Sequence, residues 1–177
     1  MIVGCFGLLL IMLGLWVPAK AVLAQVLIEQ AWQQSLSERQ VVKPWPWIDT
    51  WPVARLLVPE HDVSLLAMHG LSGQALAFGP GLKTSVVSSH HSQTHLLAGH
   101  NDTHFRFLQN LQPGDTIRLQ LQNQIITYEV RAATVLDVRD GAPLFAEQDQ
   151  LLLLTCYPFN VTSTNGPLRY VVTAVQV

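Results

Sequence analysis

Three side chains in this sequence have the types and placement to do chemistry together. Cys156 closes the run Leu151-Leu152-Leu153-Leu154-Thr155-Cys156, and Arg169 stands second in the run Leu168-Arg169-Tyr170-Val171-Val172. A thiolate is a strong nucleophile, and a guanidinium beside it favours the thiolate and can also hold the oxyanion formed when a carbonyl is attacked. His100 follows Ala98-Gly99 at the end of another apolar run, His95-Leu96-Leu97-Ala98, and supplies the general acid or base such a reaction needs.

These residues need elements that end where the side chains stand. Four consecutive leucines between Asp149-Gln150 and Tyr157-Pro158 are too short for a free-standing helix and predict a strand buried on both faces. Alternation puts Leu152, Leu154 and Cys156 on one side of it, with the thiol at the rim of the sheet. The loop after Cys156 contains Pro158, Asn160, Asn165-Gly166 and Pro167, and a β-branched run then reaches the C-terminus. Antiparallel pairing of these two strands brings Arg169 to Cys156.

The chain has 177 residues, enough for one domain with a real core. It is 49% apolar and 12% charged, with a net charge of -2. No basic block is present for neutralising phosphates, which sets nucleic acid aside. Cys5 lies in an apolar stretch and Cys156 near the other end, so the pair forms no disulfide framework and Cys156 reads as a free thiol.

Residues 1–24 read as a membrane anchor. Met1 to Val17 carries no charge and the following residues add only Lys20, giving about the twenty residues a spanning helix requires. A cleaved signal peptide is the competing reading, with Ala19-Lys20-Ala21 and Val22-Leu23-Ala24 as cleavage sites, but the basic start is missing. Lys20, Arg39 and Lys43 follow the span, which by the positive-inside rule favours a cytoplasmic remainder. Residues 25–52 read as a linker. Val22, Val26, Ala31 and Trp32 suit a helix leaving the bilayer, and Lys43-Pro44-Trp45-Pro46-Trp47 opens an extended, proline-punctuated stretch.

Residues 53–177 have the texture of an all-β domain with minor helix. Strands are predicted at 56–58, 63–66, 75–77, 95–98, 116–121 and 125–138, besides the two already named, separated by Gly, Pro, Asn and Asp. Seven or eight short strands at this spacing point to a barrel or sandwich. His104 to Leu111 is the one helical stretch expected inside it, with Phe105, Leu108 and Leu111 on one side.

Leu152-Leu153-Leu154-Thr155-Cys156, Ala98-Gly99-His100 and Leu168-Arg169-Tyr170-Val171-Val172 together resemble the T-L-x-T-C motif, the histidine and the arginine of the sortases, membrane-anchored cysteine transpeptidases, in the same order. The likeness extends over about Pro44 to Val177. The segments Lys43 to Trp47 and Asp102-Thr103-His104-Phe105 look most like the sortase class of Gram-negative proteobacteria. Leu152 replaces the first threonine of the cysteine motif, and Asn101 stands where many relatives have arginine.

The resemblance implies an eight-stranded sortase-type β-barrel preceded by an N-terminal transmembrane helix, held single-pass in the inner membrane with the catalytic domain in the periplasm. It implies that Cys156 attacks the carbonyl between threonine and glycine of an LPXTG-like sorting signal, that His100 protonates the leaving amine, and that Arg169 holds the substrate or oxyanion. A thioester then passes to an amine on the cell envelope. Thr155, Leu154 and Ala98 are the expected substrate contacts, and no cofactor or metal is implied. The alternatives are an anchored β-domain that only binds partners, or a metal site built from His90-His91-x3-His95 and His100-x3-His104. An L,D-transpeptidase, suggested by His69-Gly70, does not fit the residues around Cys156.

Overall fold

A computed structural model describes the backbone of residues 2–87, 92–141, 149–160 and 166–177, and the side chains of the same residues from 14 onward apart from 86 and 87. Eight strands form the body: β1 (Pro52–Val58), β2 (Val63–His69), β3 (Gly81–Val87), β4 (Ser92–Ala98), β5 (Thr116–Gln120), β6 (Ile125–Asp137), β7 (Gln150–Cys156) and β8 (Leu168–Gln176). They close in the order β1-β2-β3-β4-β7-β8-β6-β5, with β5 pairing back onto β1 and β2 joined to β3 only through Met68–Gly81 and His69–Leu82. Most neighbours are antiparallel, but β2 and β3 run parallel, and so do β4 and β7.

The closed interior follows from alternation. Ala54, Leu56 and Val58 of β1 point inward between half-buried neighbours, and they meet Leu97 of β4, Leu119 of β5, Leu151 and Leu153 of β7 and Val172 and Ala174 of β8. β7 is buried on both faces as its leucines predict, because Leu152 on the outer side is as inaccessible as Leu151 and Leu153. The long connection from β4 to β5 adds Phe105, Leu108 and Leu111 to the same core. The helical stretch expected there is a 3-10 turn over Arg106–Asn110, with those three side chains on its inner side.

Two local expectations are corrected. The segment Ala75-Leu76-Ala77 is no strand. It lies in a short helix, α2 (Gly73–Phe78), whose start is fixed by the Ser72 hydroxyl accepting from the Ala75 N–H at 3.2 Å. The strand unaccounted for is β3, hidden in the sequence because Lys83 and Thr84 are exposed and Leu82 alone joins the core. Gly81 opens β3 where a Cβ would lie 2.2 Å from the Gly70 carbonyl oxygen, so only glycine allows β3 to approach β2 there.

Helix α1 runs unbroken from Ile2 to Glu38. Its far half docks on the barrel: Ile28, Ala31, Trp32 and Ser35 are buried, Glu29 pairs with Arg55 of β1, and Gln25 donates to the Phe78 carbonyl at 3.0 Å. Leu15, Trp16, Val17, Val22 and Leu23 are exposed. Among the described residues no helix is long and apolar enough to cross a membrane.

Candidate active site

The site is built by three neighbouring strands. β4 and β7 run in the same direction with Ala98 beside Leu154, and the Gly99 N–H extends the ladder by donating to the Leu154 carbonyl at 3.1 Å. The chain therefore leaves both strands at one rim, with His100 and Cys156 each two residues beyond that last pair. β8 enters at the same rim, antiparallel to β7, and Cys156 pairs with Arg169 in the final register position. Strands distant in sequence thus bring the thiol, the imidazole and the guanidinium to one end of the barrel.

Their environments differ. Cys156 is a half-buried free thiol, Arg169 is half-buried and His100 is exposed. Among the described residues no hydrogen bond joins any two of the three. Arg169 instead donates from Nη1 to the carbonyls of Gly166 and Leu168, both at 2.8 Å, which leaves Nε and Nη2 with protons to offer a substrate. A Cβ on Gly99 would sit 3.0 Å from the Phe105 ring, so any larger residue before His100 makes that ring give way.

The three expected substrate contacts separate by face. Ala98 and Leu154 are paired, half-buried, and lie on the outer face shared with Cys156, next to Val171 of β8. Thr155 points the other way with its neighbours Leu151 and Leu153. It is 1% exposed, and its hydroxyl donates to the Gly99 carbonyl at 2.7 Å, so it straps the cysteine strand to the histidine turn.

Sequence reasoning passed over an aromatic group at this rim. Tyr157 stacks on Tyr170 with ring centroids 6.3 Å apart, and Phe159 meets the edge of Tyr170 at 5.2 Å. Burial and neighbouring Tyr157 push the Tyr170 hydroxyl above its usual pKa. The signal was available: Tyr157 and Phe159 directly follow the cysteine, and Tyr170 directly follows Arg169. His104, half-buried four residues after His100, is held below the ordinary histidine value by desolvation first and by the His100 charge second, against the pull of Asp102.

The remaining histidines are dispersed. His95 points into the barrel with its Nδ1 at 3.1 Å from the Tyr128 hydroxyl, His61 pairs with Asp115 at 2.9 Å, and His69 stacks on Trp51. His90 and His91 lie outside the described residues. Among the described residues no three His, Cys, Asp or Glu side chains converge into a group able to hold a metal ion.

Known proteins share this arrangement of sequence. A family model described as the sortase domain matches residues 56–177. Sortase D of Bacillus subtilis (strain 168) is 34% identical over 125 residues, which are 69% of this chain, and the chain spans 62% of that relative's length. Among solved structures, sortase C-1 from Actinomyces oris is 28% identical with a TM-score of 0.58, covering 71% of this chain and 74% of that one. Sortase E1 from Streptomyces coelicolor, solved with a tripeptide in its active site, is 26% identical with a TM-score of 0.58, covering 71% of this chain and 88% of that one. The matched residues begin inside β1, run to the last residue and contain all three rim side chains; this chain belongs to the sortase family.

Proposed function

We propose that this protein is a cysteine transpeptidase that cleaves an LPXTG-like sorting signal between threonine and glycine and transfers the new acyl end to an amine on the cell envelope. The observation that carries the reading is the register at the rim, where Cys156 pairs with Arg169 and stands level with His100 across β4 and β7. The Cys156 sulfur adds to the threonine carbonyl, and the free N–H groups of Arg169 meet the resulting oxyanion. The C–N bond then breaks as the imidazolium of His100 delivers its proton to the departing glycine amine, leaving a thioester. An incoming amine attacks that thioester, loses a proton to His100 and expels the thiolate. Ala98 and Leu154, half-buried and backed by the buried Val171, form an apolar floor on the thiol's face that suits the leucine and proline of the signal. The tripeptide in the active site of Sortase E1 supports a peptide occupant.

The apolar, exposed residues of α1 before its docked half support an anchor in the membrane. Transfer to an envelope amine requires the barrel on the outer side of that membrane, in the periplasm if the chain belongs to the class of Gram-negative proteobacteria. That class rests on the segments Lys43 to Trp47 and Asp102 to Phe105 alone.

The test uses the full chain in detergent with an LPXTG peptide and hydroxylamine. Mass spectrometry is expected to find a thioester on Cys156 that hydroxylamine releases and that Cys156→Ala abolishes. Folded protein that forms no adduct with any of several motif variants would return the chain to an anchored binding module.

A further inference from the structure

His100 is exposed, and among the described residues no hydrogen bond reaches its ring, yet both of its neighbours in sequence are tied to residues flanking Cys156. Before it, the Gly99 N–H donates to the Leu154 carbonyl and the Gly99 carbonyl accepts from the Thr155 hydroxyl, at 3.1 and 2.7 Å. After it, Asn101 Nδ2 donates to the Pro158 carbonyl at 3.0 Å. A carbonyl has no proton to give, so the Asn101 amide must present its NH₂ there. Asn101 is 8% exposed and spans 57 positions of sequence to reach that partner. His100 and Cys156 therefore occupy the middle of two short stretches joined on both sides.

Of the two ties before His100, one continues the β4 and β7 ladder and the other comes from the Thr155 side chain inside β7, so both are anchored in paired strands. The tie after it lies beyond the ladder and depends on the Asn101 side chain alone. We propose that Asn101 is a positioning residue of the reaction: its amide fastens the turn after His100 to the loop after Cys156 and so sets the reach of the imidazole to the sulfur. The role rests on the acyl-transfer reading above. A displacement of about 1 Å between reacting groups is enough to cost about 100-fold in rate. Without the amide, the turn keeps the Phe105 N–H to His100 carbonyl bond at 2.9 Å, which closes the turn on itself and holds nothing across the site.

The decisive variants are Asn101→Asp and Asn101→Ala, made in the full chain in detergent. Aspartate has the same shape, but when ionised it has no proton to donate and sets two acceptors against each other; when protonated it donates again. Two readouts separate positioning from simple structure: kcat and KM with the sorting peptide and hydroxylamine, and the pH profile of Cys156 alkylation by iodoacetamide, each compared with wild type and with His100→Ala. At neutral pH both variants are expected to lower kcat about 10- to 100-fold with KM little changed, and to lose the part of the alkylation profile that depends on His100. On acidification the ratio of Asn101→Asp to wild type should rise while that of Asn101→Ala stays flat.

Wild-type kcat and alkylation in both folded variants would overturn the proposal. So would a loss of activity that tracks thermal stability and leaves the His100-dependent alkylation intact. If the wild type forms no thioester, acyl transfer is wrong and alkylation alone decides: a His100-dependent profile shifted by Asn101→Asp upholds the positioning role, and an unshifted or His100-independent profile removes it.

Discussion

His95 and His100 lie five positions apart on either side of the end of β4, and the barrel treats them in opposite ways. His95 is 3% exposed, faces the interior and shares a hydrogen bond with Tyr128, whose own hydroxyl is pushed up to about 12, chiefly by burial. His100 sits at the rim in solvent, two residues past the last strand pair, level with Cys156 at the end of the neighbouring β7. The imidazole inside is satisfied and shielded from substrate, whereas the one outside has open valence and neighbours of complementary chemistry. Position relative to a strand end, more than residue type, separates a shielded histidine from an accessible one.

That contrast can be tested by substituting along it. Cys156→Ala should abolish thioester formation outright while leaving the fold intact, read by mass spectrometry and circular dichroism. His100→Ala should lower kcat/KM by about 10²- to 10⁴-fold, the range for loss of a general acid or base, with the melting temperature little changed. Trp32→Ala, on the face of α1 packed against the barrel, should cost about 3–5 kcal/mol of stability through the cavity it leaves, and it should touch neither histidine, so the activity of the folded fraction stays at the wild-type level. His95→Phe should cost about 1–3 kcal/mol by leaving the Tyr128 hydroxyl buried without its partner, again with kcat preserved. If His95→Phe lowered kcat as far as His100→Ala, the division between interior and rim would be broken.

The smallest effect is a pH dependence. Burial holds the His95 imidazole below its ordinary value, partly opposed by Asp149, so the folded protein resists a proton that the unfolded chain accepts near pH 6.5. The resulting stability is present above about pH 6.5 and is lost as pH falls through the lowered folded value. Melting temperatures measured between pH 7 and 5 should therefore decline on acidification, and the His95→Phe variant should show a shallower decline.

The meeting of Cys156 and Arg169 at the rim is legible because each carries a local signal. Cys156 and Arg169 stand at the adjoining ends of consecutive β-rich runs, and antiparallel pairing of such runs is the ordinary outcome. The adjacency of β4 and β7 left no such mark, since parallel strands separated by β5 and β6 have no turn to announce their register. For the same reason the strap from Thr155 and the tie from Asn101 could not be read in advance: both partners lie more than fifty positions away. The strand pattern alone reaches the right number of strands for a partly mistaken reason, since it counts α2 as a strand and misses β3, while the eight-stranded barrel comes from the family resemblance. Ala75, Leu76 and Ala77 are apolar but too few to show a period, and Lys83-Thr84-Ser85 conceals a strand in which the consecutive Lys83 and Thr84, on opposite faces, are both exposed. Helix α1 shows a third kind of limit. Its stripe through Ala31 and Trp32 was visible, but a stripe does not name what covers it, and the barrel does.

The chain order of β4, β7 and β8 also governs when the three rim side chains can first come together. A contact between strands so far apart in sequence carries a large loop-closure cost and needs both strands present. Cys156 and Arg169 reside in the last two strands to be synthesised, while His100 precedes β5 and β6. A chain still emerging from a ribosome therefore carries the imidazole without the thiol, and later the thiol without the strand that seats the guanidinium. The rim with all three side chains is thus complete only once β8 has been made and has paired with β7.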